Sequence, residues 1–289
     1  MPDANHAEAF AWNQASWDLR APVHAQSRLY TGRANALRAG KHTLTPLHQE
    51  GVGDLNGKAA LHLQCHLGME TMSLARLGAS PAVGLDFSQA SINHANKLRD
   101  ELGVSPKRCR FVCANVYDAP EALGQAFDLL FVSEGSLCWL PDIRRWAQTV
   151  GALLKPGGRL FVHDFHPILH TLAPGNRDSA PGDKSEAHAF HLAYGYLGER
   201  AMTFETDTTY TESDAPLPKH STAEWVHPIG AMLGGLLDAG LVIDGFEEHP
   251  TCCYQALPCM VLADYGRWAF PEPWAGQVPC EFSLRAHKA

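Results

Sequence analysis

Between Ala59 and Asp164 one pattern recurs: a short apolar run ends in a small or polar turn, and helix-length segments separate the runs. The runs are Leu61 to Cys65, Ala82 to Leu85, Phe111 to Ala114, Phe127 to Val132 and Arg159 to Val162. Met69 to Leu77 reads as a helix stopped by Gly78. Ser88 reads as the N-cap of a second helix carrying Ile92, Ala95, Leu98 and Leu102, and Ile143, Trp146, Val150 and Leu153 mark a third that ends at Lys155-Pro156-Gly157-Gly158. Strands separated by helices cannot pair as hairpins. They imply crossover connections and a parallel sheet covered on both faces. The expected fold is therefore α/β, a doubly wound, mostly parallel sheet with helices on both faces. In such sheets ligands bind at the carboxyl ends of the strands.

The rhythm breaks after His163. Residues 167–222 are polar and rich in Pro and Gly, with a β-like stretch at Met202 to Tyr210, and are too long for a plain connection. They read as an inserted cap or lid after the fifth strand. A helical stripe from Pro228 to Ala239 and final strands at Leu241 to Phe246 and Phe282 to Ala286 return the chain to the core. The expected division is an N-terminal helical flap at 1–50, a core made of 51–166 and 223–289, and the cap at 167–222.

A formal net charge of −8 with no basic cluster argues against a nucleic-acid partner, because phosphate binding depends on grouped Lys and Arg. No apolar run approaches membrane-spanning length and no signal peptide is visible, so no membrane partner is expected. The eight cysteines form no C-x-x-C pair and read as reduced thiols of a cytoplasmic protein. Monomer and homodimer both remain open.

The segment Leu61-His62-Leu63-Gln64-Cys65-His66-Leu67-Gly68 occupies the first strand–turn–helix, where α/β sheets cradle nucleotides. Asp86 ends the second strand, placed to accept hydrogen bonds from ribose hydroxyls. Asn115 ends the third, with an oxygen for an exocyclic amine, and Phe87 and Val116 are placed to enclose an adenine ring. These strings resemble class I, Rossmann-like S-adenosylmethionine-dependent methyltransferases. AALHLQCHLGMETMSLARLGASPAVGLDFSQASI is similar to their first two motifs, FVCANVYDAPEAL to the third, FDLLFVSEGSLCWLPDI to the fourth and LLKPGGRLFV to the fifth, in order from Gly57 to Val162. The tail resembles a bacterial branch that shares the LHLQCH variant. The resemblance implies S-adenosyl-L-methionine as cofactor, held by Gln64, His66, Gly68, Asp86, Phe87, Asn115, Val116 and Ser133. The chain departs from the family pattern at His62, where Asp is usual, and at Gln64 and His66, where glycines are usual; Asn115 replaces a common Asp. A pyrophosphate needs the closely approached, glycine-rich turn that is missing here, which weighs against a nicotinamide enzyme.

The resemblance makes the chain a transferase that methylates a small molecule at O, N or S. A catalytically silent nucleoside-binding regulator and a protein methyltransferase are the alternatives. Methyl transfer needs alignment and exclusion of water, and a base only when the acceptor must lose a proton early. Ser133 and Glu134 follow the fourth strand, and His163, Asp164 and His166 the fifth; His166, His163 and Glu134 are the catalytic candidates, His166 first because imidazole titrates near neutrality. Trp17, Tyr30, Trp225 and His227 are substrate-side candidates. Arg20 is placed to pair with the cofactor carboxylate, while Trp12 reads as an anchor of the N-terminal helix. The run His163, His166, His170 has the residue types of a metal site, but Pro167 interrupts it and no second ligand group appears, so no metal is expected.

Overall fold

The computed structural model describes residues 6–175, 190–198, 200–212 and 216–289. The expected flap and cap therefore lie partly outside the described residues, at 1–5, 176–189, 199 and 213–215. Three helices precede the first strand: α1 (His6–Gln26), α2 (Arg28–Arg38) and α3 (Pro46–Val52). Thr45 starts α3 by accepting from the His48 N–H, with Pro46 in the first turn where its missing N–H costs nothing.

The alternating core follows: β1 (Ala60–Leu63), α4 (Met69–Arg76), β2 (Ala82–Asp86), α5 (Gln89–Glu101), β3 (Cys109–Cys113), α6 (Ala119–Leu123), β4 (Phe127–Val132), α7 (Ile143–Leu153) and β5 (Leu154–Phe165). Ser88 caps α5 by accepting from Ser91 N at 3.1 Å. Lys155-Pro156-Gly157-Gly158 does not separate α7 from the strand as expected. The helix ends at Leu153, and the turn is absorbed as an irregularity of β5, where pairing jumps from Phe127–Leu154 to Leu129–Arg159.

Beyond β5 come β6 (Leu172–Pro174) and β7 (Phe190–Leu192), which pair as one two-stranded unit, then β8 (Met202–Thr206) and β9 (His220–Glu224), which pair as another. The chain then forms α8 (Ile229–Asp238), β10 (Leu241–His249), β11 (Thr251–Cys252), β12 (Val261–Leu262), β13 (Trp268–Ala269) and β14 (Glu281–Lys288). The main sheet has the order β10-β14-β5-β4-β1-β2-β3, with β14 alone running against the other six. It is the doubly wound, mostly parallel sheet expected. The small β11-β13-β12 sheet was not anticipated; its short strands carry no periodic pattern.

Strand alternation distributes the core. Leu61 and Leu63 of β1 face the layer of α7 and α8 around Trp146, while Ala60 faces the layer of α2 to α5 with Phe131 and Phe161. His62 lies within β1, fully buried, its two ring nitrogens each 3.1 Å from Thr71 Oγ1 and Ser133 Oγ. Burial lowers its pKa to about 4, so it is a neutral bridge between β1, α4 and the end of β4. The chain order reverses between β1 and β4, which opens a crevice at their carboxyl ends. The N-terminal helix closes over it: the Asn13 amide exchanges two hydrogen bonds with the backbone of Ala223 in β9, and Asp18 accepts from Ser88 Oγ and Ala90 N at the start of α5. No helix among the described residues is long and apolar enough to cross a membrane.

Candidate functional site

The turn after β1 keeps a glycine-like backbone without the glycines. Gln64 and His66 have φ of 55° and 47°, the left-handed region that costs an ordinary residue about 1–2 kcal/mol. Tertiary bonds hold both there. Gln64 donates through Nε2 to Ser136 O. The His66 ring lies 2.9 Å from His24 Nδ1 and 3.1 Å from Ser91 Oγ, and His24 reaches Thr209 Oγ1 in turn. Burial and nearby cations push His66 well below its ordinary pKa and His24 down to about 3, so both rings are neutral. With both nitrogens engaged, His66 fastens the turn to α1 and α5, and through His24 to the segment after β8, and is not free to contact a ligand as a donor.

A cavity of about 530 Å³ opens at the carboxyl ends of β1, β2 and β4, within the range of small-molecule and cofactor sites. All eight residues expected to hold the cofactor line it: Gln64, His66, Gly68, Asp86, Phe87, Asn115, Val116 and Ser133. The Asp86 carboxylate is buried and accepts from Ser88 N at 2.9 Å and His66 N at 2.8 Å. Two backbone donors leave lone pairs on both oxygens for further hydroxyls. Burial, only partly opposed by these donors, raises its pKa to about 6. Beside it Phe87, Asn115, Val116 and Phe10 form a slot, with Asn115 Oδ1 also capping the turn at Tyr117 N.

The rest of the cavity is built from α1, α2, the start of α4, the loop after β4, the residues after β8, the end of β9 and the residues after β11. Trp17, Tyr30 and Glu134 line it as expected, and so does Arg20, whose guanidinium lies over the rings of Trp17 and Trp139. Sequence reading missed Arg33, Glu70, Tyr210, Glu224 and Tyr254, which come from two helices, a short strand and loops without a local motif. Arg33 pairs with Glu70 at 3.4 Å, and Tyr30 and Tyr210 meet through their hydroxyls. Gln64 Oε1, Arg20 Nε and Trp17 Nε1 are buried in these walls with no partner among the described residues. Such atoms are costly unless a ligand satisfies them.

The expected residues after β5 are placed elsewhere. His166 is not a cavity wall: it accepts from Ile168 N and pairs with Glu248 at 3.0 Å on the far side of β5. Trp225 and His227 fall outside the cavity too. Trp225 packs with Ala9 and Ala223 under α1, and His227 Nε2 lies 2.6 Å from Leu140 O; both border a separate recess of about 20 Å³. Asp164 shapes the loop after β4 by accepting from the backbone N–H groups of Gly135, Ser136, Leu137 and Phe165.

His163 is buried behind Glu134 and lines neither this cavity nor the small recess. Its Nδ1 lies 3.2 Å from Glu134 Oε1 and 2.9 Å from His48 Nε2, and its Nε2 lies 2.9 Å from the fully buried Glu281. Burial opposes charging of the ring, but the hydrogen bonds to Glu134 and Glu281 prevail and raise its pKa to about 9. The run His163, His166, His170 is thus divided among three environments. Two clusters of the described residues do bring three metal-competent atoms within 4.8 Å of one another, namely His48, Glu134 and His163, and Cys138, His170 and Glu224.

Residues 61–160 match the family described as a methyltransferase domain. A ubiquinone biosynthesis O-methyltransferase of Neisseria meningitidis serogroup C (strain 053442) is 30% identical over 123 residues, 42% of this chain and 50% of that protein. The chain spans about half the length of the curated relatives it matches. Among solved structures, an S-adenosylmethionine-dependent methyltransferase from Mesorhizobium loti has a TM-score of 0.53 at 18% identity, covering 88% of this chain and 96% of its own. The cyclase SpnF gives a TM-score of 0.53 at 16% identity, covering 96% and 94%. With its sheet order and its matched segment at 61–160, this chain has the class I, Rossmann-like fold of the S-adenosylmethionine-dependent methyltransferases.

Proposed function

We propose that the chain binds S-adenosylmethionine in the β1–β4 crevice and transfers its methyl group to a small-molecule acceptor. One observation carries this reading. Gln64 Oε1, a buried acceptor, and Arg20 Nε, a buried donor, belong to residues lining the same cavity, and neither atom has a hydrogen-bond partner among the described residues. Together they match the ammonium and carboxylate of an amino-acid end group, while Asp86 and the Phe87–Asn115–Val116 slot match ribose and adenine. When bound, the cofactor supplies an electrophilic methyl on a sulfonium. The chain's own part is alignment and exclusion of water: α1 and the residues after β8 cover the crevice, and Asp164 holds the loop after β4 in place.

The groups placed to take a proton from an acceptor are those on the cavity wall. His170 lies 3.8 Å from Glu224, and burial lowers its pKa to about 4, so its ring is neutral at pH 7. It takes the place assigned to His166 and His163, while Glu134 keeps its place on the wall. The match to O-methyltransferases makes hydroxyl compounds the first acceptors to screen.

Calorimetry with S-adenosylmethionine and S-adenosylhomocysteine, followed by turnover screening, tests the proposal. Absence of binding to either would overturn it. Binding without turnover on any acceptor would favour a silent binding protein. Asp86→Ala is expected to weaken cofactor binding by about 1–3 kcal/mol, roughly 5- to 150-fold, through lost buried hydrogen bonds. Unchanged affinity in a folded variant would remove Asp86 from the site.

The raised Asp86 pKa also predicts a pH dependence. Ribose hydroxyls donate best to the ionised carboxylate, so affinity is expected to be level above about pH 7 and to fall below pH 6, by up to about tenfold per unit. Asp86→Asn should flatten that profile. The stability contribution of Asp86 has the opposite sign: with a folded pKa of about 6 against an ordinary 3.8, it is fully present below pH 3.8 and is lost as pH rises through 6. Calorimetry at a series of pH values checks the affinity profile.

A further inference from the structure

His48, Glu134 and His163 belong to three separate elements, α3, the loop after β4 and β5, yet each presents one ligand atom to the same small volume. His48 Nε2 and His163 Nδ1 are 2.9 Å apart, and Glu134 Oε1 is 3.5 Å from the first and 3.2 Å from the second. A first-row dication with bonds of about 2.1 Å holds neighbouring ligands about 3.0–3.4 Å apart at octahedral to tetrahedral angles. A point about 2.1 Å from all three atoms exists here, about 1 Å out of their plane. The triangle is therefore one face of a coordination polyhedron.

The surroundings repeat how proteins build such faces. A metal-binding histidine usually donates its second N–H to a carboxylate, which fixes the tautomer and turns the other nitrogen to the ion. His163 Nε2 does so to Glu281, at 2.9 Å. Glu281 is fully buried and is itself held by Cys253 N at 3.0 Å and by the Arg267 guanidinium. The two imidazoles are the hydrogen-bond and ion-pair partners of Glu134 among the described residues, with Arg33 and His62 near enough to feel its charge, and Glu134 lines the large cavity. The cluster therefore has a side open to that space.

We propose that His48 Nε2, Glu134 Oε1 and His163 Nδ1 bind one divalent transition-metal ion, of the Mn²⁺, Fe²⁺ or Zn²⁺ class, at the wall of the cavity. Two imidazole nitrogens and one carboxylate oxygen are the donor types those ions take, the ion displacing the proton from His163 Nδ1, and three protein ligands leave at least one position for a water or a ligand oxygen. The second cluster is the weaker candidate. Its His170 and Glu224 atoms are 3.8 Å apart, against 2.9–3.5 Å for the three contacts of the first cluster.

The test uses the full chain, stripped with a chelator and dialysed, without cofactor, so its outcome is independent of the methyl-transfer proposal. Mn²⁺, Co²⁺ and Zn²⁺ are titrated by calorimetry, and retained metal is measured by elemental analysis after gel filtration. About one ion per chain is expected to be retained. Glu134→Gln and His48→Gln should each reduce affinity at least about tenfold with unchanged circular dichroism, and Cys138→Ser should leave binding intact. The wild-type Co²⁺ spectrum gives a readout that needs no variant: nitrogen and oxygen ligands produce no sulfur-to-cobalt charge-transfer band. Failure of wild type to retain any of the three ions would overturn the proposal. So would full binding by folded Glu134→Gln and His48→Gln, a sulfur charge-transfer band, or loss of binding in Cys138→Ser.

Discussion

Replacing Glu281 by leucine is expected to destabilise the fold by about 3–5 kcal/mol, the usual cost of removing one partner of a buried charge cluster. The carboxylate is fully buried at the start of β14, where the antiparallel register sets it opposite Phe165. It receives His163 Nε2, Cys253 N and the Arg267 guanidinium. Leucine removes all three acceptor contacts and leaves the His163 Nε2–H facing an apolar side chain with no acceptor. Arg267, 28% exposed, can turn towards water, so most of the loss falls on His163 and on the chain around Cys253. Glu281→Gln keeps one acceptor oxygen and should lose less. Chemical denaturation of both variants checks this; a loss below about 1 kcal/mol for leucine would show that the cluster is not a structural unit.

Gly68→Ala is expected to cost about 2–5 kcal/mol and to weaken cofactor binding further. Gly68 has φ of 73°, and a Cβ there would lie 2.4 and 2.6 Å from Phe111 ring atoms and 2.8 Å from Ala95 Cβ. The left-handed backbone accounts for about 1–2 kcal/mol and the overpacking for about 1–3. Ala95 is fully buried on α5 and cannot retreat, so the start of α4 must move. That start carries the turn whose His66 N–H donates to Asp86, and the cofactor site loosens with it. Phe111→Leu in the same chain should restore part of the stability by opening room for the methyl group. Thermal denaturation with calorimetry would decide it; a Gly68→Ala protein as stable as wild type would refute the steric argument.

These two positions separate what was legible in the sequence from what was not. The strand-and-helix alternation from β1 to β5 is written in local periodicity, because each strand must be apolar to lie inside a sheet covered on both faces. Asp86 and Asn115 were legible for a related reason: a polar residue at or just past the end of a strand emerges at the carboxyl edge, where α/β sheets bind ligands. Gly68 could be read as a tight turn, but its necessity comes from Phe111 and Ala95, which no pattern links to it. Gln64 and His66 show the converse. Their left-handed backbone persists with side chains because Ser136, His24 and Ser91 hold them.

The sequence by itself determined the layered α/β sheet, and it placed at one sheet edge the residues that line the cavity there, since these follow from short-range pattern and strand ends. Only the tertiary structure decided which way the residues after β5 face and which distant groups meet them. His163 turns from the cavity to His48, 115 positions earlier, and Glu281, 118 positions later. His166 turns to Glu248, while His170 reaches the cavity wall. The physical reason is that strand alternation and a single turn set each side chain's direction, while its partners are supplied by elements that packing alone brings within reach.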